Sequence, residues 1–172
     1  MLNRLIGEGP IEVAKTVVLV FVTVLAVIAL QQLAAARSVD SGDRRDRLAV
    51  VGRARDFGQE LTTYDYAHPD VQEHRLAPLA TPGVVTRVMT AFPDLALYHA
   101  VSLGDAPDTW LEELDGGHAR VLMMTRSTIQ SSNVAPGTHA SGLLLCDLSR
   151  QASGSWRVSD FRWLTPATQG VS

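Results

Sequence analysis

From Thr16 to Ala36 the chain reads TVVLVFVTVLAVIALQQLAAA, 21 residues without a charged side chain. At about 1.5 Å rise per residue, such a run matches the roughly 30 Å apolar thickness of a bilayer. A buried helix of a soluble domain is normally shorter and amphipathic. The segment is therefore read as a single membrane-spanning helix over 16–36, with 1–15 as an N-terminal tail and 37–45 as a membrane-proximal joint. Ala34-Ala35-Ala36 ahead of Arg37 has the small side chains of a signal-peptidase site, behind a basic region containing Arg4 and Lys15. The apolar stretch exceeds the roughly 7–15 residues of a signal core, which favours an anchor that stays attached. Arg37, Arg44, Arg45, Arg47, Arg53 and Arg55 lie C-terminal to the span, and the positive-inside rule would keep the large C-terminal part in the cytoplasm. Asp40, Asp43 and Asp46 interleave those arginines, and the rule is weak for long translocated domains. Charge leaves both orientations open.

The remainder is long enough for one domain with a real core, read as 46–166, and 167–172 is read as a C-terminal tail. Fifteen basic and 18 acidic residues, net -3, are mixed along the chain and supply no basic face for nucleic acid. The single cysteine, Cys146, rules out an intramolecular disulfide and a cysteine-based metal site, and fits a small apolar residue in a strand.

After the polar joint, Val50, Ala54, Phe57, Leu61 and Tyr64 recur at steps of 4, 3, 4 and 3, the spacing of one buried helix face. They are the expected seam between helix and sheet. Pro69 breaks that helix, and Asp70 with Glu73 reads as an N-cap and capping box for a second. A third helical piece is expected over Val84 to Phe92. Alternation then takes over, with Leu95, Leu97, His99, Val101 and Leu103 on one face of an extended run. A short helical excursion is expected at Trp110, Leu111 and Leu114. Further strands are expected over His118–Gln130, Gly142–Leu148 and Trp156–Leu164, with turns at 114–117, at Ala135-Pro136-Gly137 and at 153–155. Helices first and an antiparallel sheet afterwards predict an α+β domain with the helices on one sheet face.

Signatures of chemistry are sparse. His68, His74, His99, His118 and His139 have no metal-ligand spacing, and no phosphate loop or nucleophile elbow occurs. One enzymatic reading would bring Asp65, Tyr98, Asp147 and Asp160 together inside a cone as a carboxylate base beside a tyrosine. In the last strand Trp156 and Val158 share one parity and Phe161 and Trp163 the other. A bulge near Ser159-Asp160 would switch faces and expose an aromatic pair. Trp156, Phe161 and Trp163 are thus the candidate interaction face.

Leu61-Thr62-Thr63-Tyr64-Asp65-Tyr66 with Pro69-Asp70, and Trp156-Arg157-Val158-Ser159-Asp160, stand in an order that resembles the Mce-associated membrane proteins of actinobacteria. The resemblance implies one membrane anchor followed by an NTF2-like or VirB8-like cone outside the cytoplasmic membrane, which would set the orientation. It implies a non-catalytic accessory subunit, without cofactor or metal, that supports an Mce-type lipid-import complex of the cell envelope through protein partners. Two other readings stand beside it: a module holding a lipid or sterol-like ligand in the cone, and a ketosteroid-isomerase-like enzyme.

Overall fold

The computed structural model describes residues 43–164 and the backbone of 168–170. The expected span over 16–36, and the 1–15 tail before it, lie outside the described residues. Among the described residues no helix is long and apolar enough to cross a membrane. The compact C-terminal unit begins at Asp46.

Helix α1 occupies 43–62. Three short helices come after the two-residue strand β1 (Tyr64–Asp65): α2 (Pro69–Leu76), α3 (Pro82–Met89) and α4 (Phe92–Leu97). Each begins with a proline in its first two positions, where a missing N–H removes no helical hydrogen bond. The chain then runs through β2 (Val101–Asp115), β3 (His118–Ser131), β4 (Val134–Arg150), β5 (Trp156–Trp163) and β6 (Thr168–Gly170). The sheet is antiparallel in the order β1-β2-β3-β4-β5, with β6 added to β4 beyond the end of β5.

Val50, Ala54 and Phe57 of α1 are fully buried in the core, against Val121 and Met123 of β3, Leu144, Cys146 and Leu148 of β4, and Trp156 and Val158 of β5. Leu61 packs half-buried on the same core. The helix comes close enough that glycine is required at two points. A Cβ on Gly58 would run into Met123 Sδ and Ala106 Cβ, and one on Gly104 would run into Thr62. Thr63 Oγ1 closes the seam by donating to the Gly104 carbonyl (3.2 Å) and accepting from its N–H (3.1 Å).

The structure corrects several expectations. Tyr64 is not on the helix: α1 ends at 62, and Tyr64 pairs with Ser102 in β1, half-buried. Asp70 is not the N-cap of α2. His68 holds that position without a side-chain cap, and Asp70 sits in the first turn, facing the positive end of the helix dipole. The alternating run Leu95–Leu103 is helical in its first part, because Pro93 suits a helix start and Phe92 is buried. Ala135-Pro136-Gly137 lies inside β4 as an irregularity, and the β3–β4 turn falls at Ser132–Asn133. Residues 168–170 are a strand rather than tail, since β4, at 17 residues, outruns β5 and leaves His139–Ser141 to be paired.

Helix α4 ends in a Schellman arrangement: His99 N–H bonds the Ala96 carbonyl (3.2 Å) and Ala100 N–H the Leu95 carbonyl (3.0 Å). Glycine usually takes the left-handed position, yet His99 holds φ 48° here, its ring edge-on to Tyr66 at 5.0 Å.

Two stability measurements test this architecture. Phe57→Ala empties the centre of the seam and should lower unfolding free energy by about 3–5 kcal/mol in urea titration. His99→Val should lower it by about 1–2 kcal/mol, whereas His99→Gly should be neutral or stabilising, because only the valine resists positive φ.

Candidate functional site

The aromatic end of β5 is shaped by one extra residue. Asp160 pairs with Asp147 and Val158 with Leu148, so Ser159 is bulged out and its Oγ donates to the Asp147 carbonyl (3.1 Å). The bulge does switch parity, with the result that Phe161 returns to the same inner face as Trp156 and Val158. Phe161 packs tilted against Phe57, with ring centroids 5.5 Å apart. On its other side the Arg87 guanidinium lies 4.2 Å from the ring centroid, while bonding the Phe161 carbonyl (3.0 Å) and Asp160 Oδ1 (2.8 Å). Trp156 is 4% exposed and belongs to the core. The expected interaction face of Trp156, Phe161 and Trp163 is therefore corrected: Trp156 is enclosed by the core, Phe161 is half-buried against it, and Trp163 is the most accessible of the three, at 41%.

The residues of the enzymatic reading are not brought together. Asp65 closes the turn after β1, with Oδ1 accepting from Ala67 N–H (2.9 Å) and Oδ2 lying 3.0 Å from His68 Nδ1. Tyr98 is exposed at the end of α4, and its carbonyl accepts from Ser132 N–H (2.8 Å). Asp147 faces Arg120 at 2.9 Å on the outer side of the sheet, and Asp160 faces Arg87. Arg87 above all holds the Asp160 carboxyl below its ordinary value. Burial pushes the Cys146 thiol well up, and the neighbouring Asp147 and Asp160 carboxylates push it further. Among the described residues no group of three His, Cys, Asp or Glu could hold a metal ion.

The sequence pattern missed Trp110. Leu111 and Leu114 are three apart, which reads as helical, but β2 is bulged between Leu111 and Glu113, so both turn inward from an extended strand. Trp110 consequently points outward, 48% exposed in mid-strand.

No protein-family model matches the chain, and no curated protein matches it. Solved structures do share its fold, the NTF2-like curled antiparallel sheet with helices. CagV, a VirB8 homologue of the type IV secretion system of Helicobacter pylori strain 26695, aligns with TM-score 0.54 at 10% identity, over 67% of this chain and 96% of that one. An IcmL-like type IV secretion protein from Legionella pneumophila aligns with TM-score 0.54 at 14% identity, over 74% and 94%. A type 2 hexachlorocyclohexane dehydrochlorinase aligns with TM-score 0.52 at 14% identity, over 74% and 93%. At these identities the likeness is one of fold, and the fold carries secretion components and an enzyme alike.

The turn at Asp65 has a pH signature. The Ala67 N–H first, and His68 second, hold its carboxyl below the ordinary value. The stability this carries is complete above about pH 3.9, the unfolded carboxylate value, and is lost as pH falls through the lower folded value. Asp65→Asn should flatten the acid limb of a stability–pH profile and leave the slope near neutrality unchanged; an unaltered acid limb would show that the turn does not depend on ionised Asp65.

Proposed function

We propose that the chain is a non-catalytic accessory subunit, anchored in the cytoplasmic membrane by residues 16–36, with its NTF2-like domain outside the cytoplasm. In this reading it supports assembly of an Mce-type lipid-import complex through protein contacts. The observation that carries it is how the aromatic strand is used. Trp156 belongs to the core, Phe161 packs half-buried against it, and the inner face between Val121, Met123 and Leu144 is filled by Phe57 and its neighbours. Trp163 is left as a large aromatic at the surface, the type of side chain on which protein interfaces concentrate their binding energy. Asp65, Asp147 and Asp160 are each engaged by a turn or an arginine, an arrangement suited to structure more than to proton transfer. The motifs around Leu61–Asp70 and Trp156–Asp160 point to the Mce-associated proteins, and proteins of type IV secretion systems share this fold.

The reading is tested by co-purification of the full chain with the subunits of a lipid-import complex from detergent extracts of membranes. Trp163→Ala should reduce recovery of those subunits about tenfold or more, with the melting temperature unchanged. Recovery equal to wild type would reject Trp163 as the contact. Absence of importer subunits from the wild-type extract would reject the assignment itself.

A further inference from the structure

Four large apolar side chains that the fold leaves in water stand at the junction of α4 and β2. Leu97 and Leu103 are 72% and 70% exposed, and Tyr98 and Val101 between them are exposed as well. The Schellman turn, closed by the bond from Ala100 N–H to the Leu95 carbonyl, leads the chain directly from one pair into the other. Val101 and Leu103 share one face of β2, about 7 Å apart along the strand. Helix α4 commits Phe92 to the interior and turns Leu97 away from it. Exposed apolar residues scattered singly are ordinary, whereas a contiguous group marks a contact surface. The rim of this group is acidic. Asp94 lies one turn before Leu97 and Tyr98, and Asp105 follows Leu103 on the same face of β2; both are exposed, and neither has an ion pair among the described residues. Arg126 faces Asp105 across the ladder but is bonded to Asp108 at 3.3 Å. Asp65, beside Val101 on β1, is tied to Ala67 and His68 and takes no part.

We infer that this surface docks an amphipathic helix of another protein, with the apolar stripe of that helix on Leu97, Val101 and Leu103 and its flanking lysines or arginines against Asp94 and Asp105. Strand addition is not open to a partner here, because β1 already holds the edge of β2, with Tyr64 opposite Ser102 and Asp65 opposite Val101. Docking is left to side chains, and a helix with apolar residues at i, i+3, i+4 and i+7 presents them on one face. Charge selects the flanks of that helix. A second copy of the same surface, or an anionic headgroup layer, would add negative charge to the two carboxylates, whereas a basic flank neutralises them and speeds encounter. The surface lies on β2, and Trp163 on β5 is at the far side of the sheet order, so the inference does not rest on the lipid-import reading.

The test uses the full chain in phosphatidylcholine nanodiscs and two synthetic peptides of about 18 residues, long enough to be helical. Both carry the same leucine stripe with a photoreactive leucine at its centre, and they differ only in flanks of lysine or of glutamate. After illumination, mass spectrometry locates the linked residues, which separates docking on the protein from adsorption to lipid. The lysine peptide should link to 97–105 on the order of tenfold more than the glutamate peptide, and lose that advantage at about 0.5 M salt. Leu103→Asp should abolish the linkage with an unaltered melting temperature, since the side chain it replaces is exposed. Asp94→Lys combined with Asp105→Lys should reverse the preference in favour of the glutamate peptide. Equal linkage of the two peptides, linkage that survives Leu103→Asp, or no linkage within 97–105 would overturn the inference. So would a benzophenone side chain placed at position 103 in native membranes, if it links to lipid or to a second copy of the chain in place of a basic amphipathic segment.

Discussion

A sheet that folds around a helix has to curl, and here single extra residues in its strands let it do so. Two irregularities in β2, between Asp105 and Asp108 and between Leu111 and Glu113, and the bulged Ser159 of β5 insert residues that have no partner across the ladder. Such insertions bend a strand and increase its twist. They also restore parity, so that Leu111 and Leu114, and Val158 and Phe161, reach the same inner face despite being three apart. Without the extra residue at Ser159, Phe161 would face outward, and Phe57 would lose its aromatic partner at the far side of the sheet.

The closure of the sheet edges depends on the same curvature. The outer edge of β5 is capped where Val158 N–H bonds the Leu79 carbonyl and Thr81 N–H bonds the Val158 carbonyl, both at 2.9 Å. Arg87 extends that cap along the strand to Phe161. At the opposite edge, β1 covers the first residues of β2, Thr63 ties Gly104, and Arg55 bonds the Pro107 carbonyl at 3.2 Å. Parts of both edges are thus occupied by helices, connections or a proline, which blunts edge-to-edge pairing there. Growth by strand addition is disfavoured at those covered stretches.

The helical seam was legible in the sequence because a 3.6-residue period needs only local information. Val50, Ala54, Phe57 and Leu61 occupy the positions their spacing implies. Strands β3 and β5, the second half of β4 and two of the turns were legible from alternation and glycine-rich breaks, whereas β2 was expected only at its first residues. What failed did so for definable reasons. Trp110, Leu111 and Leu114 imitate a helix because a bulge converts a step of two into a step of three. Leu95–Leu103 imitates a strand, because a single turn of helix with a left-handed residue at its end leaves no periodic trace. Tyr64 continues the helical stripe in sequence, but its backbone is claimed by Ser102, a partner 38 positions away.

By itself, the sequence determined an uncharged run of membrane-spanning length, an α+β order of elements, a helix with one buried face, and the absence of familiar catalytic spacings. Only the tertiary structure decided which aromatics are exposed and which carboxylates meet. Parity across a bulge and register between strands are set by long-range pairing, and a shift of one residue turns a side chain from core to solvent. Trp156, Phe161 and Trp163 look equivalent in a row of letters. The fold buries the first, wedges the second between Phe57 and Arg87, and leaves the third at the surface.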